Sequence, residues 1–294
     1  MLKRVLGRIS IIARYVYGRY AYPIPKIYDR ITTSELIANN ERLSIVRYGD
    51  GELGQILSAK DIGFQSYDPK LSTKLLEVLC ADDDPDVLIC LPNLFAGMHN
   101  MKPEPKQYWE KWITNNRRDL SKILGSKRYG DSLVSRLYLP WKDITSEMTI
   151  VNNIKKAWLG KDVVIVEGAK TRWGVGNDLL ENALTVKRIL CPVKNAFTKY
   201  DNILSTCLQL CSKNEIFVLA LGPTATILAF ELAKRGYRAL DLGHFDLQYE
   251  HMIRRADGRM SIDGKYNNEI ENTLLADIDD ERYRQSVIAD LSEE

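Results

Sequence analysis

The sequence predicts an α/β protein built on a mostly parallel sheet with helices on both faces. Three observations carry this. Short apolar runs recur along the 294 residues, each apolar throughout instead of alternating, as strands buried on both faces are. Helical-period segments separate them. Polar and glycine-rich residues follow the runs and do not precede them, which places them at the carboxyl ends of the strands, where open α/β sheets bind ligands.

Residues 1–20 carry Lys3, Arg4, Arg8, Arg14 and Arg19 and no acid. On a helical wheel these cations fall on one side, opposite Leu2, Val5, Leu6, Ile9, Ile12 and Val16. That pattern suits a basic helix lying on an anionic membrane surface, and equally a helix packed on its own domain or on a partner subunit. It is too polar for the apolar centre of a signal peptide. Pro23 and Pro25 end it. Residues 28–41 read as a helix capped near Thr33 or Ser34, and 43–46 as the first strand. A helix restarts at 53–57 and another spans 69–79. The acidic turn at 81–86 belongs to the opposite end of the sheet. Residues 87–91 form a strand that delivers Asn93. A long charged helix covers 105–124, with Trp109 and Trp112 at core spacing, and a strand and loop occupy 131–148.

The second half alternates more plainly. Residues 163–166 are a strand, 167–176 a glycine-rich loop, and Asn177 or Asp178 caps a helix through Ala183. Strands at 188–191 and 216–221, helices at 202–211 and up to Lys234, and a last strand at 239–242 follow. Gly236 closes the helix before that strand.

Composition excludes several classes. The apolar and charged fractions, 45% and 27%, are ordinary for globular chains. A net charge of +2 is no argument for nucleic-acid binding. No apolar run is long enough to span a bilayer. Five cysteines without a CxxC pair suit neither a disulfide framework nor zinc, and fit a reducing cytoplasm.

The chemistry-bearing residues lie in loops after the strands. In Arg47-Tyr48-Gly49-Asp50-Gly51-Glu52, two carboxylates converge in a strand-to-helix turn where glycines permit close approach. Asp50 and Glu52 suit a hard divalent cation shared with a diphosphate. An ordinary acidic turn, with Arg47 pairing one carboxylate, is the alternative. Gly222-Pro223-Thr224 opens a helix whose amino end can hold phosphate. In 170–177, Lys170 and Arg172 supply charge, and Gly174 and Gly176 allow close approach beside Asn177. The full dinucleotide fingerprint is missing. If residues 244–250 are extended, His244, Asp246, Gln248 and Glu250 share one face and offer a general base or a further metal ligand.

Together these four motifs, with Gly174 to Leu179, Leu221 to Thr226 and Asp241 to His244 as they stand here, resemble the bacterial glycosyltransferases of the GT-D fold. The resemblance covers roughly residues 30–285. It implies a Rossmann-like domain at 28–255, between the basic helix of 1–27 and a 256–294 extension packed on it. It further implies Mn²⁺ or Mg²⁺ at Asp50 and Glu52, and a UDP-sugar donor contacted by Arg47, Gly49, Asn93, Arg172, Gly174, Asn177, Gly222 and Thr224. His244, Asp246 and Glu250 would lie near the reacting centre. Tyr48 and Gln248 depart from the family's usual Phe and acid, which makes Gln248 unfit as a base. The expected activity is hexose transfer to a hydroxyl of a cell-surface polysaccharide or glycoprotein glycan, in the cytoplasm or at the inner face of the membrane. A metal-dependent nucleotide-diphosphate hydrolase and a non-catalytic nucleotide-binding assembly protein are the rivals.

Overall fold

The structure is a computed structural model and describes residues 2–267, 270 and 280–293; the side chains of residues 2–6 are not described. The elements run α1 (Leu2–Ala21), α2 (Arg30–Asn39), β1 (Ser44–Arg47), α3 (Asp50–Ser58), α4 (Pro69–Cys80), β2 (Val87–Leu91), α5 (Pro103–Ile123), β3 (Gly130–Asp131), α6 (Glu147–Lys156), β4 (Asp162–Gly168), β5 (Thr185–Cys191), α7 (Tyr200–Leu210), β6 (Ile216–Ala220), α8 (Pro223–Lys234), β7 (Arg238–Asp241), α9 (Phe245–Ile253), α10 (Glu281–Ser286) and β8 (Val287–Asp290).

The eight strands form one sheet in the order β3-β2-β1-β7-β6-β4-β5-β8, and every pairing is parallel. Successive side chains of a strand point to opposite faces. Val164 and Val166 therefore join Leu75, Ile113 and Leu228 in one core, while Val163 and Ile165 join Ile37, Ile154 and Trp158 in the other. Burying one such aliphatic side chain contributes roughly 1.5–3 kcal/mol, so the two-faced pattern dictates helices on both sides. The chain leaves β4 toward β5 on one side and leaves the neighbouring β6 toward β7 on the other, and this reversal opens a crevice at the carboxyl edge.

Several local expectations change. Asp29 caps α2, its carboxylate accepting the Thr32 N–H at 2.7 Å, in place of Thr33 or Ser34. No helix follows Asn177. The Asn177 side-chain carbonyl accepts the Leu179 N–H at 3.2 Å, and the 177–184 link stays a chain of turns, because Asn and Asp offer the backbone local partners that compete with a helix. Residues 245–253 are helical, not extended. Asp246 and Glu250, four apart, thus share a face, and Gln248 turns elsewhere to accept the Tyr138 and Leu139 N–H groups, each at 3.2 Å. Helix α6 and strand β8 are additions. β8 pairs with β5 as the eighth strand, so the end of the chain is part of the sheet. The rest of the expected 256–294 extension, residues 268–269, 271–279 and 294, lies outside the described residues.

Candidate functional site

A cleft of about 1210 Å³ lies across the carboxyl edge. Its wall includes Arg47, Gly49, Asp50 and Glu52 after β1, Ser132 after β3, Gly168 and Thr171 at β4, Pro192 after β5, Gly222 after β6, and Gly243 and His244 after β7. Six strands thus deliver residues to one place. The volume exceeds the usual 300–1000 Å³ of a single small-ligand pocket, leaving room for two reactants.

Asp50 and Glu52 are half-buried in the first turn of α3. One Glu52 oxygen accepts the Gly49 N–H at 2.7 Å, a helix cap. Burial pushes the Glu52 carboxyl above the usual carboxylate range, although the backbone amides and Arg47 pull the other way. Asp50 accepts a hydrogen bond from the Tyr108 hydroxyl. Burial, then that carboxylate, raises the Tyr108 pKa, so the phenol stays the donor. Both carboxylates are therefore held by neutral donors. No cluster of three His, Cys, Asp or Glu able to hold a metal occurs among the described residues. Both carboxylates line the cleft from the first turn of α3; a hard cation that completes its shell from substrate phosphate suits such oxygen donors, and a caged structural ion does not.

Arg47 forms the floor. Its Nε donates to the Asp241 carbonyl at 2.6 Å, Nη2 to the Asp241 carboxylate at 3.1 Å and Nη1 to Ser135 Oγ at 2.7 Å. A Cβ on Gly243, whose φ is +47°, would sit 2.3 Å from Nη2, so only glycine fits beside this guanidinium. Burial raises the Asp241 carboxyl and Arg47 opposes that rise.

The other expected residues divide sharply. Gly222 and His244 line the cleft. A Cβ at Gly222 would meet the Phe64 ring at 2.1 Å, so Phe64 covers the start of α8. Thr224 is fully buried behind it, its hydroxyl without a hydrogen-bond partner among the described residues. Asn93 does not line the cleft: its side-chain amide donates to the Tyr28 carbonyl at 3.1 Å. Arg172 is buried, its Nη1 donating to the Gly264 carbonyl at 2.6 Å. Gly174, with φ +72°, makes a turn packed against Leu180. Asp246 and Glu250 are each 1% exposed. The Lys265 ammonium lies 2.7 Å from Asp246 and 3.5 Å from Glu250, and the Asn177 amide donates to both at 2.6 and 2.8 Å.

Sequence reasoning passed over Phe64, Tyr108, Arg136, Arg259 and Tyr266, all on the cleft wall. Tyr108 occupies an outward position of α5 beside Trp109, and Phe64 follows Gly63 in a mostly polar loop that also holds Tyr67. That second placement was the one local signal available. Residues 256–267 reach the wall because Lys265 anchors them to α9 and Tyr266 N–H donates to the Lys170 carbonyl at 2.7 Å.

Comparison with known proteins accords with this architecture. A family model described as Glycosyltransferase GT-D fold matches residues 45–270. The probable glycosyl transferase Gly of Streptococcus gordonii is 34% identical over 254 residues, covering 85% of this chain and 37% of that protein. Glycosyltransferase GlyD of Streptococcus pneumoniae is 30% identical over 259 residues, covering 88% of this chain and 31% of that protein. The chain thus spans about a third of the length of the curated relatives it matches. A solved structure of domain of unknown function 1792, described as having a distinct glycosyltransferase fold, superposes with a TM-score of 0.87 at 32% identity over 96% of this chain and 99% of that one. A further one, described as a new glycosyltransferase from Streptococcus sanguinis, superposes at 0.85 with 30% identity, over 91% and 100%.

Proposed function

Since the chain belongs to the GT-D-fold glycosyltransferase family, we propose that it transfers a hexose from a UDP-sugar to a hydroxyl of a glycan acceptor, with a divalent cation bound alongside the donor. The observation that carries the proposal is the pair Asp50 and Glu52, half-buried on the wall of a cleft large enough for two reactants, with only neutral groups hydrogen-bonded to them.

Asp50 and Glu52 would hold Mn²⁺ or Mg²⁺. When bound, the cation would offset the negative charge that grows on the departing diphosphate. The chain's own residues do the rest. Arg47, locked by Asp241 and Ser135, sets a fixed guanidinium at the cleft floor whose charge the Asp241 carboxylate partly offsets at 3.1 Å, and donors already fixed cost no reorganisation when the leaving group develops its charge. The amino end of α8, whose first turn carries Pro223, adds partial positive charge behind Gly222. His244 is the general base. The bond from the sugar's anomeric carbon to UDP breaks, a bond from that carbon to the acceptor oxygen forms, and the acceptor proton passes to the imidazole. Asp246 and Glu250, neutralised by Lys265, position α9 and therefore His244, which caps it.

UDP release from a panel of UDP-sugars, in Mn²⁺, Mg²⁺ and EDTA, tests the reading. Release that requires the cation and rises with a glycan acceptor is expected. Undiminished release in EDTA, or full activity in Asp50→Ala and Glu52→Ala, would sink it.

A further inference from the structure

The amino-terminal helix packs on the domain by the face opposite its apolar stripe. Gly18 is buried against Arg117 of α5, Ile11 and Tyr15 are half-buried, and the Tyr15 hydroxyl donates to the Leu94 carbonyl at 3.2 Å. At about 100° per residue, Ile11, Tyr15 and Gly18 fall within one narrow arc. Ile9, Ile12, Val16 and Tyr20 fall within another, roughly on the far side, and are 57%, 43%, 47% and 85% exposed. A self-packed helix buries its stripe; this one turns it outward.

One border of that stripe is cationic: Arg8 and Arg19 run along it, while Arg14 lies nearer the domain-facing arc, and all three are exposed. No acid occurs before Asp29. An apolar ridge edged by arginines, with the folded domain on the opposite side, suits a helix seated at a lipid interface: apolar side chains enter the acyl boundary and arginines reach the headgroups. No helix among the described residues is long and apolar enough to cross a membrane.

We infer that α1 docks this protein onto an anionic lipid bilayer through Ile9, Ile12, Val16 and Tyr20, with Arg8 and Arg19 paired to lipid phosphates. Charge complementarity selects this occupant. A second copy of the chain would bring like-charged arginines together around the same stripe, and a neutral bilayer would leave them uncompensated.

Co-sedimentation of the full chain with phosphatidylcholine vesicles, with and without phosphatidylglycerol, tests the inference. Two variants accompany it, Ile9→Ser/Ile12→Ser/Val16→Ser and Arg8→Gln/Arg19→Gln. All five positions are exposed and outside the cleft, so circular dichroism and UDP release should match the parent. Binding is expected to require phosphatidylglycerol and to weaken with salt. It should fall about fivefold for each cation removed, and at least tenfold in the apolar variant. Absence of binding to anionic vesicles, equal binding to neutral ones, or a dimer by sedimentation that the serine variant dissolves would overturn it.

Discussion

Two carboxylate pairs leave neighbouring strands at the same edge of the sheet, and the structure treats them in opposite ways. Asp50 and Glu52, two residues apart after β1, are half-exposed in the cleft and meet a phenol and a backbone amide. Asp246 and Glu250, four apart after β7, are buried and share the ammonium of Lys265 and the amide of Asn177. A carboxylate already neutralised by a buried lysine has little left to offer a cation. One hydrogen-bonded, among the described residues, only to neutral donors has no protein cation already paired with it. Compensation, not motif spacing, separates the proposed cation pair from the pair that holds α9.

Removing the compensation should have the largest effect. Lys265→Met leaves buried Asp246 without its cation, which typically costs about 3–5 kcal/mol, while Glu250 keeps Arg254 at 3.0 Å; a urea melt checks this, and an unchanged midpoint would mean that Asp246 does not depend on Lys265. Next comes the proposed base. His244→Asn should lower kcat by about 10²-fold or more with donor KM nearly unchanged, as read in a steady-state UDP-release assay. Proton chemistry centred on Glu250 would instead leave kcat near the parent value.

Asp131 extends the comparison to a carboxylate with neither cleft nor lysine. Burial pushes its carboxyl up to about 7, against bonds from the Leu133 and Asn93 amides that favour the charge. The folded state therefore favours the protonated form, whose stabilisation is present below the ordinary value of 3.8 and is lost as pH rises toward 7. Asp131→Asn retains an acceptor oxygen and removes that slope. Urea melts at pH 5 and pH 8 should differ less in the variant, by roughly 2–3 kcal/mol. Smallest is Tyr108→Phe, which deletes one hydrogen bond to Asp50, worth about 0.5–1.5 kcal/mol, and should shift the cation requirement only severalfold in the same release assay.

The sheet was legible because its strands are apolar throughout: residues 43–46, 87–91, 163–166 and 216–221 each point to a strand that the structure contains. Helix α6 was not, since Thr149, Ile150, Val151, Asn152 and Asn153 are weak helix formers and Ile150, Val151 and Ile154 become helical by packing on the sheet. Strand β8 is four residues long and acquires its form by pairing with β5. At the site, loops that follow strands pointed correctly to the edge. Which of their residues enter the cleft depends on contacts between distant segments. Asn93 is tied to Tyr28, Arg172 to Gly264 and Asp246 to Lys265, and no local spacing records those partners. The turn of residues 244–253 into a helix has the same origin: its polar residues fit both period two and period four, and burial of Phe245, Tyr249 and Met252, at helical spacing, in one core decides between them.

Calorimetric titration of UDP in Mn²⁺ and in EDTA, for the parent and for Asp50→Asn/Glu52→Gln, tests the central claim most directly. The substitutions keep acceptor oxygens for Gly49 and Tyr108, so the fold and the helix cap persist. The parent should bind UDP at least tenfold tighter with Mn²⁺ than in EDTA, and the variant should bind equally weakly in both. A variant that retains the full Mn²⁺ enhancement would contradict the assignment of this pair as the cation site.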